Sequence, residues 1–183
     1  MEYISSDTNI WIAFNTVDSI DVPFMLREDF TYIMSSDTVN DELQSPPELK
    51  ERLIELGLKI IEMQEEEFQL LIKYSIYEKI SVYDRIALSI AKNRKIILLS
   101  GDRNLRIAAG KEGVEVHGSL WILDRIIWSG KLTETRIKKL LNDFLLNCGK
   151  KIRLPRIELE NRLKQIDRCG TDITEMKVKT GGN

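Results

Sequence analysis

The run KIILL at residues 95–99 constrains this chain more than any other segment. It is a continuous apolar stretch of strand length, the pattern of a strand buried on both faces, as in a parallel sheet covered by helices. The flanking segments read accordingly. EYISS (2–6) starts a strand that ends at Asp7, and IWIAFNTVDSI (10–20) reads as the helix after it. FTYIM (30–34) is aromatic and β-branched, a second strand with Ser35 and Ser36 as its exit turn. Thr38-Val-Asn-Asp41 matches a capping box opening a helix, Pro46-Pro47 interrupts it, and another helix runs over 47–56 to Gly57. LKIIEM (58–63) reads as a third strand, and EEEFQLLIKYSIYE (65–78) is helical by period. Ser81-Val-Tyr-Asp84 is a second capping box, leading into the apolar positions Ile86, Leu88, Ile90 and Ala91. After KIILL and Ser100-Gly101-Asp102 a helix runs to about Ala109, followed by a short strand VEV (114–116). SLWILDRIIWSG (119–130) and TETRIKKLLNDFLLN (133–147) are further helices. One more lies between Lys150 and about Gln165, and TDITEMKVKTGGN (171–183) reads as frayed. Strands alternating with helices predict an α/β fold with a parallel sheet covered on both faces.

Composition narrows the class. A chain of 183 residues is near the usual size of one domain and can bury about 70% of its unfolded surface. With 43% apolar residues and 31% charged ones in near balance, it is not a disordered sequence. No run of 18 uncharged apolar residues exists, so no transmembrane helix is expected. The start MEYISSDTNIWIAF lacks the basic and apolar regions of a signal peptide. Cys148 and Cys169 have only His117 to help them, which excludes a four-ligand structural zinc site. The expectation is a soluble cytoplasmic protein.

The net charge of -2 hides an asymmetry: residues 1–67 hold 16 acidic and 4 basic side chains, residues 68–183 hold 13 and 23. Helical faces solvated by their own charges would look like this. So would an acidic metal centre with a basic rim for phosphate.

Four carboxylates fall at the carboxyl edge of the predicted sheet, where ligands of such sheets bind. Asp7 ends the first strand, Glu42 lies in the helix after the second, Asp84 in the first turn before KIILL, and Asp102 directly after it. Each also has an ordinary structural role open to it. Asp7 and Asp102 can cap helices, Asp84 can complete its capping box, and Glu42 can favour a helix start.

Asp7-Thr8-Asn9 with IWIAF, Glu42-Leu43, the stretch from Lys79 through Asp84 to Ala91, and Leu98-Leu-Ser-Gly-Asp102-Arg-Asn-Leu together resemble a PIN domain of the toxin-type ribonuclease branch. The intervals between the acids are 35, 42 and 18 residues, and GVEVHGSLWILDRIIWSGKL resembles the downstream part of some family members. The resemblance covers residues 1–147 and leaves 148–183 as a helical C-terminal extension. It implies a three-layer α/β/α sandwich and a metal-dependent nuclease. Asp7, Glu42, Asp84 and Asp102 match the acidic set that holds a divalent metal, Mg²⁺ or Mn²⁺, in PIN nucleases. Asn9 matches a polar position beside the first acid, and Ser100 a hydroxyl position that orients the acids. Asp41 stays open as an alternative to Glu42, or as a cap behind Thr38.

Carboxylates are the hard oxygen ligands those ions take. Two unit charges about 4 Å apart repel by about 4 kcal/mol at an effective dielectric of about 20, so the empty set favours protonation. In the implied chemistry a metal-activated water attacks the phosphodiester in line, with no His base. His117 accordingly reads as a strand-end or turn residue.

Arg85, Arg103 and Arg106 lie beside these acids and are candidates for phosphate contacts, or for plain helix solvation. The basic stretch at 150–156 could grip RNA or a partner, or form a solvated junction before the last helix. Trp11, Trp121 and Trp128 sit at helical spacing among apolar neighbours and predict core packing. No GxxxxGK[ST] or GxGxxG exists, which argues against nucleotide binding.

The leading expectation is thus a metal-dependent endoribonuclease acting on RNA, the toxin half of a toxin–antitoxin pair. An antitoxin protein and a second copy of the chain are the protein partners this reading allows; no membrane is expected. A non-catalytic PIN-like interaction module and an RNA-processing nuclease without an antitoxin are the alternatives. A phosphatase or receiver-like protein would want an acid where Asn9 stands.

Overall fold

The apolar run at 95–99 is shared by two elements in the computed structural model, which describes residues 2–150 and 152–169. Lys95 takes a left-handed conformation (φ 55°) and closes a helix, its N–H facing the carbonyls of Ala91 and Lys92. Only Ile97–Leu99 remain as strand, all three buried. The frayed tail expected at 171–183 lies outside the described residues.

Two units divide the chain, Met1–Ile12 with Arg27–Ser119 and Ala13–Leu26 with Leu120–Asn183. The first holds the sheet: β1 (Glu2–Ser6), β2 (Phe30–Ser35), β3 (Lys59–Ile61), β4 (Ile97–Leu99) and β5 (Val116–His117). All pairs are parallel, in the order β3-β2-β1-β4-β5. The chain builds outward from β1 through β2 to β3, then returns to the other side of β1 with β4. The crevice beyond the carboxyl ends of β1 and β4 is therefore the topological switch point, the usual ligand site of an open parallel sheet.

Helices flank this sheet. On one face lies α5 (Val82–Arg94), where Ile86 and Ile90 pack on Ile33, and Ala87 and Leu88 share a cluster with Leu98. Ser5 of β1 is tied to the same helix by a 3.0 Å hydrogen bond to the Ala87 carbonyl. On the opposite face Trp11, fully buried in α1 (Thr8–Thr16), meets Tyr32 edge-on at 5.2 Å and donates from Nε1 to Ser6 Oγ. α2 (Ser36–Glu42), α3 (Leu49–Leu56), α4 (Glu65–Lys73) and α6 (Arg103–Lys111) complete the first unit.

Local chemistry moves several boundaries from their expected places. α2 is capped by Ser35, whose Oγ accepts from the Thr38 N–H at 3.1 Å, so Thr38 lies inside the helix and opens no capping box. Ser35, at the strand end, supplies the cap three residues before Thr38. α1 stops at Thr16 rather than continuing to Ile20, because Asp18 turns left-handed (φ 47°). β3 is shorter than the 58–63 expected, β5 lies at 116–117 rather than 114–116, and α4 gives way to a 3-10 turn at Tyr74–Ile76.

The second unit contains most of α7 (Ser119–Ser129), α8 (Glu134–Asn147) and α9 (Arg156–Cys169). Phe14 meets Phe144 edge-on at 5.3 Å, and Arg162 forks onto both oxygens of Asp124 at 2.7 Å. α9 starts at Arg156, inside the stretch from Lys150 to about Gln165 where a helix is expected, and runs on to Cys169; Pro155 disfavours helix at the residue before it. Trp121 and Trp128 are half-buried rather than core: the buried stripe of α7 is Ile122, Leu123, Ile126 and Ile127, and the two tryptophans border it. The Arg125 guanidinium lies 4.9 Å over the Trp121 ring.

Candidate active site

Asp7 follows the last residue of β1, its N–H bonded to the Leu99 carbonyl, so its carboxylate is held at the switch point between β1 and β4. It is 5% exposed. Ser100 Oγ donates to its Oδ2 at 2.8 Å, and the Asn9 backbone N–H to its Oδ1 at 3.2 Å; Asn9 Nδ2 reaches both oxygens at 3.4 Å. Burial first, and the Asp84 charge second, push its pKa up to about 6 against these hydrogen bonds.

The same Ser100 Oγ accepts from the Asp102 N–H at 3.0 Å, so one buried hydroxyl joins the ends of β1 and β4. Asp102 caps α6, its Oδ1 taking the Leu105 N–H at 2.8 Å. Asp84 completes the capping box of α5, its Oδ2 taking the Ser81 N–H at 2.9 Å. Capping thus engages one oxygen of each carboxylate. Burial raises the Asp84 pKa, and the Asp102 charge raises it further.

Glu42, the last residue of α2, accepts from Thr8 Oγ1 at 2.6 Å. Its pKa is raised by burial and then by the charges of Asp84 and Asp41. Asp41 is engaged elsewhere: the Tyr83 hydroxyl donates to it at 2.8 Å, and it caps nothing behind Thr38. Glu42 faces the Asp7–Thr8 segment, Asp41 faces α5. The Asp84 charge acts on both Asp7 and Glu42, and Asp84 is in turn raised by Asp102, so Asp84 is the electrostatic centre of the group.

The sequence pattern of a family described as PIN domain matches residues 3–168. The chain belongs to the PIN-domain family. Curated proteins and solved structures give no match to it. PIN domains are generally nucleases, so membership points to that class of activity.

The carboxylates of this PIN domain fit a hard divalent cation in donor chemistry and in charge, because a cation would offset the burial and, after it, the mutual repulsion that raise Asp7, Asp84 and Glu42. Among the described residues no group of three His, Cys, Asp or Glu side chains is gathered around a common point for an ion in this structure. The flanking cations have varied settings. Arg85 is half-buried and lowers Asp84, with Nε on the Ser81 carbonyl at 3.2 Å. Arg106 Nη1 reaches the Ser100 carbonyl at 3.2 Å, while Arg103 is exposed at the start of α6. His117 ends β5, paired to Glu115 at 2.7 Å. Ile152, within the basic stretch at 150–156, is buried, and Arg156 pairs with Glu160. Among the described residues no helix is long and apolar enough to cross a membrane.

Two residues of this edge escape sequence reasoning, Thr8 and Tyr83. A hydroxyl directly after a strand-end acid is the signal that would have found Thr8. Tyr83 carries none, since its partner Asp41 is 42 residues away.

The raised Asp7 pKa gives a pH signature. The folded chain holds that proton more tightly than the unfolded one, so metal-free stability is greatest below about pH 4 on this account. It falls as pH rises to about 6 and is flat above. The full difference is about 3 kcal/mol for a shift of about two units. Asp7→Asn should flatten this slope in denaturant titrations with EDTA present. An unchanged slope would mean that Asp7 is solvated.

Proposed function

We propose that this PIN domain is an endoribonuclease that depends on Mg²⁺ or Mn²⁺. We further propose that it acts in the cytoplasm as the toxin component of a toxin–antitoxin pair. The observation that carries the reading is the buried Asp7 carboxylate at the switch point, linked through Ser100 to Asp102 and electrostatically to Asp84. Asp7, Asp84, Asp102 and Glu42 would hold the ion, and Asn9 and Ser100 would set the angle of Asp7. The bound cation supplies the charge that activates water and steadies the entering and leaving oxygens of the phosphodiester. The chain's own part is to pre-orient the acids. The caps of α5 and α6 take up one oxygen each of Asp84 and Asp102, leaving the other for the site, while Ser100 and Asn9 hold both oxygens of Asp7 in place. Arg85, Arg103 and Arg106 are the cations nearest to hold the RNA backbone.

A second reading is a non-catalytic PIN-like interaction module, in which Asp84 and Asp102 serve as helix caps and Glu42 as the acceptor for Thr8. One experiment decides between them. Cleavage of single-stranded RNA should stop in EDTA, return with Mn²⁺ or Mg²⁺, leave 5′-phosphate and 3′-hydroxyl ends, and survive His117→Ala. At about a hundredfold excess over Kd the ion should also raise the melting temperature by about 5–10 °C, an effect that Asp84→Asn mutes. Cleavage that persists in EDTA, or 2′,3′-cyclic phosphate ends, would refute the mechanism. No cleavage and no metal-dependent melting would leave the module reading. The toxin role predicts that the product of an adjacent reading frame, a small DNA-binding protein, suppresses the cleavage.

A further inference from the structure

An edge that concentrates Asp7, Glu42, Asp84 and Asp102 cannot by itself hold a polyanion. A groove of about 370 Å³ lies between the segment at 76–80 and α6, in the same unit as these acids. The segment leads directly into Ser81 and the capping box of Asp84, while α6 starts at its cap Asp102. Asn104 Nδ2 joins the two sides through the Lys79 carbonyl at 3.4 Å. Its lining includes the apolar side chains Ile76, 69% exposed, and Ile107, 50% exposed. Exposed Lys79 and Lys111 stand in the lining against the acid Glu78. Arg103, Ile107 and Lys111 follow one another at four-residue spacing, so they share one face of α6 over about 12 Å.

From this geometry we infer that the groove is the seat of the single-stranded RNA flank adjoining the scissile bond. Ile76 and Ile107 would receive a base face, with Lys79 and Lys111 on the phosphates to either side. The inference rests on the ribonuclease reading and adds the path of the strand. RNA is favoured over a peptide by the pairing of exposed apolar side chains with lysines, on two segments that lead to the caps Ser81 and Asp102. Single-stranded nucleic acid is held by this combination of stacking surface and cationic rim.

The test is binding of a fluorescent single-stranded RNA to the full chain in EDTA, titrated over a range of salt. Lys79→Gln/Lys111→Gln removes two phosphate contacts. The slope of log K against log salt should therefore become shallower by about 1.4, at an unchanged melting temperature. An unchanged slope, with the parent chain binding RNA, would overturn the inference alone and leave the groove to a protein partner. A parent chain that binds no RNA would overturn the ribonuclease reading and this inference with it.

Discussion

Asp7→Asn and Asp102→Asn should each lower RNA cleavage by more than about a hundredfold, while Ser100→Ala lowers it by roughly 10–100-fold. The ranking follows from the chain of hydrogen bonds at the switch point. Removing a group that only orients a metal ligand costs about 10–100-fold in activity or metal affinity, so removing a ligand's charge costs more. The substitutions are chosen to spare the fold. Asn caps a helix about as well as Asp, so α6 keeps its start in Asp102→Asn. Asn at position 7 keeps one acceptor oxygen, so it retains one of the two hydrogen bonds that the Ser100 hydroxyl and the Asn9 N–H make to different oxygens of Asp7. Single-turnover cleavage at saturating Mn²⁺ measures the effect. Parent rates in either Asn variant would mean that these carboxylates serve as caps and no more.

Arg94→Met should destabilise the protein by about 3–5 kcal/mol without altering cleavage per folded molecule. Glu67 is fully buried on α4 and takes Arg94 Nε at 2.6 Å, Arg94 Nη2 at 3.1 Å and the Gln64 N–H at 2.8 Å. Burial alone would raise its pKa, but the hydrogen bonds from Arg94, the Gln64 N–H and Asn93, with the Arg94 charge, together outweigh that and hold it below the usual value. A depressed carboxylate stabilises the fold above its unfolded pKa, and that contribution is lost as pH falls through the folded value. Without Arg94 the buried charge has lost its counterion, which is the costly way to break such a pair. The pH slope should then reverse, with the variant recovering stability on acidification as Glu67 protonates. Glu67→Leu combined with Arg94→Met should recover much of the loss, because both desolvated charges are gone. A loss under about 1 kcal/mol for Arg94→Met would show that water reaches Glu67.

Much of this was legible along the chain because its causes are local. The apolar run at 95–99, the hydroxyl-to-acid spacing of Ser81 and Asp84, and the turn at Ser100–Asp102 specify strand, cap and helix start through near neighbours. Trp11 reads correctly as core for the same reason, an apolar period in its own helix. Thr38 misleads because a second hydroxyl three residues earlier caps the helix through the Thr38 N–H, and only the end of β2 determines that the helix starts after Ser35. Trp121 and Trp128 mislead because apolar spacing does not tell the centre of a buried stripe from its border.

By itself the sequence determined an alternating α/β chain, its main caps, and four acids at predicted strand and helix ends, since each depends on residues within a few positions. Only the tertiary structure decided that β4 returns beside β1 and so brings Ser100 against Asp7 across 93 positions. It also decided that Glu42 turns to Thr8 while Asp41 turns to Tyr83. Strand order and helix docking set these distances through the burial of surfaces far apart in sequence, and no local pattern carries that information.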